Sequence, residues 1–255
     1  NKIFVTPGIT LRQKKFEIKN KVQKVNRDLN LYLSYLSNQK VIAITGTNGK
    51  STTTKLVGDL LINNKLKTFV GGNIGEPLCN AFTSDKNFDY HVIELSSFQL
   101  ETVKNIETDI SIITNLSSDH LDRYNNITDY IRQKKNIISK KGINIISIDD
   151  KYSKKIFSQK KIKNKISFST LSKSADIYMR ENFILDKYFE NHKKIYLTNI
   201  SKDLDGHFNN QNIIIAYICN KILNLQRKIF INTVKKFKGL PFRSNIIFKN
   251  SMLKI

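Results

Sequence analysis

The chain has 255 residues, and its 43 Lys and Arg against 21 Asp and Glu give a formal net charge of +22. Its apolar content of 40% and aromatic content of 10% are enough for a sizeable core, which argues against a disordered protein, and no run approaches the ~18 apolar residues of a membrane span. Only two cysteines occur, without metal-ligand spacing, so neither a disulfide framework nor a zinc site is indicated.

The positive charge is spread along the chain in scattered lysine pairs, with no interleaved aromatic residues and no recognisable nucleic-acid module. A strongly basic chain can bind nucleic acid or an anionic membrane surface. The abundance of Ile and Asn, with three Pro and no Trp, instead indicates the residue bias of an AT-rich coding sequence. We therefore expect a solvated basic surface and no nucleic-acid partner, with a non-enzymatic polyanion-binding module as the alternative.

Residues 1–38 are expected to contribute little more than one helix. An extended opening over Ile3–Val5 leads into a turn at Pro7-Gly8, and a helix is predicted over Asp28–Leu36. The chain begins without Met and stops just after an apparent strand over Asn245–Phe248. We therefore expect the sequence to be a fragment of a longer protein.

Short apolar runs alternate with helical segments through the middle of the chain. The continuous run Val41–Thr45 before a glycine-rich turn is typical of a strand covered on both faces, and a helix is predicted over Ser51–Asn63. Further predicted strands are Lys67–Val70, Tyr90–Leu95, Asp109–Thr114 and Ile143–Ile148, with a crossover helix over Thr128–Lys140. This alternation favours an α/β fold with a doubly wound, mostly parallel sheet.

The segment Lys165–Ile200 has a different pattern. Its short alternating runs, such as Lys165–Ser169 and Lys194–Leu197, predict a small antiparallel excursion, after which a helix is predicted over Asn209–Leu223. No internal repeat and no Pro/Gly/Ser-rich linker is apparent. The sequence thus predicts one complete α/β domain with remnants of others at both ends.

The sharpest functional signal is a glycine-rich turn between a predicted strand and a predicted helix. It consists of Gly46, Thr47, Asn48, Gly49, Lys50, Ser51 and Thr52. Backbone N–H groups and the positive helix end form an anion site there, the lysine adds a point charge, and a hydroxyl can ligate Mg²⁺. Ile44 stands where the strict phosphate-loop pattern has its first glycine. We predict nucleotide phosphate binding, with a merely capped helix as the alternative.

Two polar residues follow strands at the same predicted sheet edge, and a third lies in another glycine-rich turn. Glu94 ends a strand, where its carboxylate can ligate a cation that bridges phosphates, although an exposed glutamate is the alternative. His120 lies in a polar loop after the next strand, where an imidazole can bind metal or phosphate or simply be solvated. Asn73 lies in a glycine-rich turn that permits close approach of a ligand, but on this evidence alone a plain turn is the better interpretation.

Several motifs, in this order, resemble those of the Mur ligases, ATP-dependent enzymes that extend the peptide of the bacterial cell-wall precursor. TGTNGKST resembles the phosphate loop of the family, while GGNIGEPL, ELSSFQLE, TNLSSDHLDRY and GLPFR are similar to its D-glutamate-adding branch. The resemblance extends from about Thr6 to Arg243, and ELSSFQLE is its most discriminating segment. Another Mur-type ligase or a folylpolyglutamate-type ligase is the alternative.

The resemblance implies a role for each matched residue. The turn Gly46–Thr52 would hold the ATP phosphates, with Lys50 on the β- and γ-phosphates and Ser51 on Mg²⁺. Further contacts to ATP are implied for Asn209, Asn212 and Arg243. Phe208 stands where the family commonly has a histidine, which changes the hydrogen bonding available beside the adenine.

The resemblance also implies metal-binding and substrate-binding residues. Glu94 would ligate one Mg²⁺ and His120 a second, and Lys134 would serve as a metal ligand after conversion to a carbamate, with Lys135 as its adjacent rival. Lys50, Glu94, His120 and Lys134 are thus the implied catalytic residues. Contacts to the UDP-sugar substrate are implied for Thr6, Asn73 and Ser96.

The implied reaction joins D-glutamate to UDP-N-acetylmuramoyl-L-alanine through an acyl phosphate. ATP is a substrate, Mg²⁺ the cofactor, and the enzyme a cytoplasmic monomer of peptidoglycan precursor synthesis. Residues 1–38 would end an amino-terminal UDP-binding domain, 39–238 form the central ATP-binding domain, and 239–255 begin a truncated carboxyl-terminal domain. Because that last domain supplies the D-glutamate site, we expect these residues alone to bind ATP weakly and not to complete the ligation.

Overall fold

The computed structural model describes residues 3–9, 25–83, 87–104, 106–120 and 122–240. The strands are β1 (Ile3–Phe4), β2 (Val25–Asn26), β3 (Lys40–Thr45), β4 (Thr68–Gly72), β5 (Tyr90–Glu94), β6 (Ile110–Ile113), β7 (Ile143–Ser147), β8 (Lys165–Ser169), β9 (Ile177–Arg180), β10 (Phe183–Asp186) and β11 (Lys193–Tyr196). The helices are α1 (Asp28–Tyr35), α2 (Lys50–Asn63), α3 (Asn80–Thr83), α4 (Ser97–Leu100), α5 (Ile127–Lys134), α6 (Lys151–Phe157), α7 (Asn209–Ile222) and α8 (Arg227–Lys236). The strand predicted over Asn245–Phe248 lies outside the described residues.

The main sheet has nine strands in the order β11-β10-β9-β8-β7-β6-β3-β5-β4. All pairs from β4 to β9 are parallel, whereas β10 pairs antiparallel with both β9 and β11. After β3, the chain forms β4 and β5 on one side of that strand and then crosses over to form β6 on its other side. The carboxyl end of β3 is therefore the switch point at which open α/β sheets bind ligands. The prediction of a doubly wound, mostly parallel sheet with an antiparallel excursion is confirmed.

The antiparallel direction predicted for Lys165–Ser169 is wrong. This segment is β8, which pairs parallel with β7, and Asn144 lies opposite Lys165 at the start of the ladder. The reason is α6, a short crossover helix capped by Asp150, whose side chain accepts from the backbone N–H groups of Tyr152 and Ser153. The antiparallel part begins only at β10, and the predicted strand Lys194–Leu197 corresponds to β11.

Alternate residues of β3 face two separate helical layers. Ile42 and Ile44 belong to a core built with α2, α7 and α8, while Val41 and Ala43 belong to a second core built with α1, α4 and α6. This period-two pattern explains why the residues from Val41 to Ile44 are all apolar: both faces of the strand are covered. The sheet edge that carries the phosphate loop is thus supported from both sides.

The amino-terminal residues are joined to this domain by packing. Strands β1 and β2 form a small parallel pair, and the buried side chains of Leu29 and Tyr32 in α1 belong to the second core. The domain boundaries predicted at residues 38 and 238 remain predictions. Among the described residues, no helix is long and apolar enough to cross a membrane.

A buried histidine on β5 should make stability depend on pH. His91 lies among the rings of Phe69, Phe82 and Phe88, and its Nδ1 is 2.8 Å from the Tyr32 hydroxyl. Burial lowers the pKa of His91 from 6.5 to about 4. As the pH falls, the unfolded chain therefore protonates this histidine at a higher pH than the folded protein does. The free energy of unfolding should fall by about 3 kcal/mol between about pH 6.5 and about pH 4.

Urea unfolding across this pH range measures the effect. In His91→Asn, which keeps a hydrogen-bond acceptor but does not titrate there, this part of the pH dependence should disappear. Equal pH dependence in the variant and the parent protein would show that His91 is not its source.

Candidate functional site

The phosphate loop wraps the carboxyl end of β3 and leads directly into α2. Helix α2 begins at Lys50, and the preceding Gly49 has a left-handed φ of 79° and offers no side-chain cap. Since the first N–H groups of a helix have no partner within the helix, this end can receive an anion. The Lys50 Nζ folds back over the loop and donates to the Thr47 carbonyl oxygen at 2.8 Å. The predicted loop residues are thus brought together at the amino-terminal end of α2.

The loop is fixed to the segment after β6 by side chains that sequence reasoning did not single out. Thr114 Oγ1 donates to the Asn48 carbonyl at 2.7 Å, and Asn115 Oδ1 accepts from the Asn48 N–H at 2.9 Å. The Thr47 N–H donates to the Asn115 carbonyl at 2.8 Å. These contacts fix the loop conformation from outside the loop. The only signal in the sequence was that Thr114 and Asn115 open the TNLSSDHLDRY motif.

Gly46 should not tolerate a side chain. Its φ is +154°, and a Cβ placed there would lie 1.9 Å from Thr114 Oγ1. Gly46→Ala should therefore push away Thr114, lower the free energy of unfolding by about 3 kcal/mol and weaken ATP binding at least about tenfold. Urea unfolding and calorimetric titration with ATP measure the two effects.

Gly75→Ala is the matched control, because φ there is +68° but an added Cβ meets no atom within 4 Å. It should cost about 1 kcal/mol of stability and leave ATP binding unchanged. If Gly46→Ala behaves like this control, the close contact with Thr114 does not govern the loop.

Glu94 lies at the end of β5 with its side chain buried beside the loop. Its Oε1 accepts from Asn73 Nδ2 at 2.9 Å, and the Asn73 N–H donates to the Glu94 carbonyl at 2.9 Å. The other carboxylate oxygen, Oε2, is buried and has no hydrogen-bond partner in the part of the chain that the structure describes. An unpaired buried carboxylate oxygen is costly unless a cation or donor faces it. This oxygen fits the metal-ligand role predicted for Glu94, and Asn73 holds the carboxylate in place.

Lys134 is almost completely buried, with only 2% of its surface exposed. Its Nζ donates to the Gly46 carbonyl at 2.6 Å and lies 4.9 Å from the centre of the Tyr130 ring. Burial and, to a lesser degree, the positive charge of Lys50 hold the pKa of Lys134 well below its usual range. The adjacent Lys135 points elsewhere and donates to Gln159 Oε1. The geometry therefore distinguishes the two lysines, and Lys134 is the one that faces the loop.

His120 lies at the rim of the site. Its side chain is 47% exposed, and its Nε2 is 3.6 Å from Asp119 Oδ2. The imidazole packs 5.0 Å from the Phe98 ring centre and 6.2 Å from that of Tyr130. In the part of the chain that the structure describes, no three His, Cys, Asp or Glu side chains are grouped to hold a metal. Because Mg²⁺ retains waters and takes phosphate oxygens, one or two protein ligands are sufficient for it.

A cavity of about 600 Å³ opens beside the phosphate loop. It is lined by Asn48 and Gly49 on one side and by Phe208, Asn209 and Asn212 from the start of α7 on the other. Asn212 Oδ1 accepts from Thr53 Oγ1 in α2 at 2.7 Å, while its Nδ2 donates to Asn209 Oδ1 at 2.9 Å. The two predicted asparagines thus join α7 to α2, next to space of the size that a nucleoside requires.

The remaining predicted residues are more scattered. Ser96 caps α4, and its hydroxyl accepts from the Gln99 N–H and donates to Gln99 Oε1, so it is already used within the fold. Thr6 is exposed in the turn after β1. Arg243 lies outside the described residues.

Fold and site together define a phosphate-loop α/β domain, and comparison with known proteins specifies its family. Residues 44–220 match the Mur ligase middle domain. The chain belongs to the Mur ligase family. This confirms the family resemblance carried by the sequence motifs.

Two curated relatives have the same name, UDP-N-acetylmuramoylalanine–D-glutamate ligase. That from Rickettsia prowazekii is 34% identical over 97% of this chain and 56% of its own length. That from Buchnera aphidicola subsp. Schizaphis graminum is 37% identical over 83% of this chain and 47% of its own length. The chain thus spans about half the length of the curated relatives it matches.

Solved structures of other Mur ligases share the fold. A UDP-N-acetylmuramoyl-L-alanyl-D-glutamate–2,6-diaminopimelate ligase superposes with a TM-score of 0.66 at 20% identity, over 88% of this chain and 51% of its own. The UDP-N-acetylmuramate-alanine ligase of Thermotoga maritima superposes with a TM-score of 0.63 at 18% identity, over 97% of this chain and 57% of its own. At such low identity the likeness establishes the fold alone.

Proposed function

We propose that the chain carries the ATP-binding part of a ligase that joins D-glutamate to UDP-N-acetylmuramoyl-L-alanine in peptidoglycan precursor synthesis. The observation that carries the proposal is Glu94, whose unpaired buried oxygen lies beside the phosphate loop within ELSSFQLE. Similarity to the D-glutamate ligases of Rickettsia and Buchnera supports the choice of substrates. We place the reaction in the cytoplasm, where ATP is available, and propose a monomer.

The reaction begins with transfer of the γ-phosphate of ATP to the carboxylate of the muramoyl-alanine substrate. The amine of D-glutamate attacks the resulting acyl phosphate, and the tetrahedral intermediate collapses to an amide and inorganic phosphate. Each step brings negative groups close together, so the protein contributes mainly positioning and charge neutralisation. Lys50 supplies a positive charge at the β- and γ-phosphates, and the N–H groups at the start of α2 receive phosphate oxygens.

The same site has oxygen ligands suited to Mg²⁺. Ser51 and Glu94 would hold one ion with the phosphates, and His120 would serve a second at the rim. When bound, Mg²⁺ offsets phosphate charge and orients the transferred group. The side-chain N–H of Asn73 donates to Glu94 and keeps that carboxylate directed at the loop. The side-chain oxygen of Asn73 remains available to the substrate.

Lys134 is proposed to carry a carbamate. Only the neutral amine adds CO₂, and the lowered pKa of the buried Lys134 ammonium increases the share of that form. The carbamate keeps one N–H, which can continue to donate to the Gly46 carbonyl, now 2.6 Å from Nζ. Its negative charge would attract Lys50, which the ammonium repels. The modification thus removes an unfavourable buried cation and creates an oxygen ligand for Mg²⁺.

Phosphate release from ATP tests the function. The complete gene product that carries this chain should release phosphate only when UDP-N-acetylmuramoyl-L-alanine and D-glutamate are both present. Diaminopimelate, L-alanine and dipeptides as the amine, and folates as the acceptor, distinguish the related ligases. Release with one of those partners and none with D-glutamate would contradict the proposal.

A further inference from the structure

Two arginines hold the segment Thr6–Ile9, which we call the amino-terminal turn. Arg27 donates to the carbonyl oxygen of Thr6 at 2.5 Å and to that of Ile9 at 3.2 Å. Arg123 donates to the carbonyl oxygens of the last three residues of this turn, Pro7, Gly8 and Ile9, at 2.7, 3.2 and 3.1 Å. Every carbonyl of the turn therefore accepts a hydrogen bond from a guanidinium, although the two arginines are far away in the sequence.

Glu101 joins the two arginines into one unit. Its Oε2 is 2.7 Å from Arg27 Nη2 and 4.0 Å from Arg123 Nη2, and the side chains of Arg27, Arg123 and Glu101 are only 0%, 11% and 10% exposed. Burying two guanidinium groups is costly unless carboxylate and carbonyl oxygens satisfy them. The turn and Glu101 provide those oxygens for the Nη atoms of both arginines, whereas the Nε of each is buried without a hydrogen-bond partner among the described residues. This Arg27–Glu101–Arg123 clamp is therefore built into the fold rather than formed by chance at the surface.

The clamp is in direct contact with the catalytic edge of the sheet. The Arg123 guanidinium carbon lies 3.6 Å from the centre of the Phe98 ring. The Phe98 ring also packs against the His120 imidazole, with 5.0 Å between ring centres. Arg123 also follows His120 closely in the chain, and its N–H donates to the His120 carbonyl at 3.0 Å. One side chain therefore links the position of the amino-terminal turn to that of the loop that carries His120.

We propose that Arg27 and Arg123 are positioning residues that hold the amino-terminal turn at the rim of the site so that it can receive the nucleotide-sugar substrate. The substrate part of this inference rests on the proposed function and on the substrate contact that the family resemblance implies for Thr6. Among the described residues, no hydrogen bond joins Arg27, Glu101 or Arg123 to the phosphate loop, and none of the three lines the cavity beside it. The clamp therefore acts on binding of the sugar nucleotide and leaves binding of ATP unaffected.

Steady-state kinetics of the complete gene product separate the two substrates. Arg123→Lys keeps the charge but cannot reach three carbonyls at once, and Arg27→Lys likewise loses its forked geometry. Each should raise KM for UDP-N-acetylmuramoyl-L-alanine at least about tenfold, while KM for ATP changes less than about threefold. Arg132→Ala, which removes an arginine that is 67% exposed and paired with Asp129, is the control and should change neither. An unchanged KM for the sugar nucleotide, or an equal rise for ATP, would overturn the inference.

Amide hydrogen exchange tests the clamp without any need for turnover. In Arg123→Lys the amide of Ile9, which donates to the Thr6 carbonyl at 3.1 Å, should exchange at least about tenfold faster, while amides of α2 keep their rates. Unchanged exchange in the turn would refute the clamp itself, whatever the activity. Absence of turnover in the parent protein, with faster exchange in the variant, would instead refute the proposed function and leave the clamp standing.

Discussion

Lys50→Ala should reduce kcat for ATP-dependent phosphate release by about 10²- to 10³-fold. The side chain is folded over the phosphate loop, with Nζ 2.8 Å from the Thr47 carbonyl, and it is a positive charge at the start of α2. Removing it leaves the charge that develops on the transferred phosphate without the cationic side chain that lies over the loop. Because Thr114 and Asn115 hold the loop independently of Lys50, the fold should remain intact.

Lys55→Ala is the matched control for this experiment. Lys55 lies on the same helix, but it pairs with Asp59 at 2.8 Å on a partly exposed face. Its loss should change kcat by less than about twofold, since exposed helix ion pairs contribute little. Thermal unfolding of both variants checks that the fold is retained. Equal activity of Lys50→Ala and Lys55→Ala would contradict the role given to the phosphate loop.

Lys134→Met should lower kcat by about 10²-fold or more, because it removes the amine that becomes the carbamate while it keeps the length and burial of the side chain. The adjacent Lys135→Met is the control, since its amine faces Gln159 and not the loop. We expect full activity from that control. Loss of activity in Lys135→Met with normal activity in Lys134→Met would reverse the assignment.

Dependence on CO₂ separates the carbamate from a purely structural lysine. The activity of the parent protein should fall in buffer freed of CO₂ and return when bicarbonate is added, and intact-mass analysis at mildly alkaline pH should find one added CO₂. The residual activity of Lys134→Met should not respond to bicarbonate. Activity of the parent protein that is indifferent to CO₂ would contradict the modification.

Local signals explain what could be predicted of the fold. Strand β3 and the turn after it were identifiable because a continuous apolar run meets a glycine-rich segment within a few residues. The direction of β8 was not predictable from the sequence, because it depends on α6. This seven-residue helix contains three lysines and has no clear apolar stripe. Strand direction depends on the crossover connection, and a short polar crossover leaves little periodicity to detect.

The site was predictable where it follows strand ends and obscure where it depends on distant contacts. Lys50 and Glu94 could be proposed from sequence because each follows an apolar run at the carboxyl edge of the sheet. Asn115, by contrast, holds a loop that lies 67 positions earlier, and Arg27 meets a carboxylate 74 positions away. Lys134 sits in a lysine-rich segment, so only the three-dimensional structure separates its buried amine from its solvated neighbours.

The same contrast clarifies the charge of the protein. Most of the +22 comes from residues that the proposed site does not use. The charges that matter are buried or partly buried: Lys50 at the loop, the Arg27–Glu101–Arg123 clamp, and Lys134, whose ammonium is disfavoured where it lies. A net charge alone would have pointed to a polyanion partner, whereas the position of these few groups points to phosphate chemistry.

Transfer of oxygen during turnover tests the central claim most directly. If ATP activates the carboxylate of UDP-N-acetylmuramoyl-L-alanine as an acyl phosphate, one carboxylate oxygen leaves with the phosphate when the amine of D-glutamate attacks. With heavy oxygen in that carboxylate, the complete gene product should release inorganic phosphate that carries one labelled oxygen per turnover, and ADP that carries none. Label recovered in AMP, or phosphate released without label, would contradict the account.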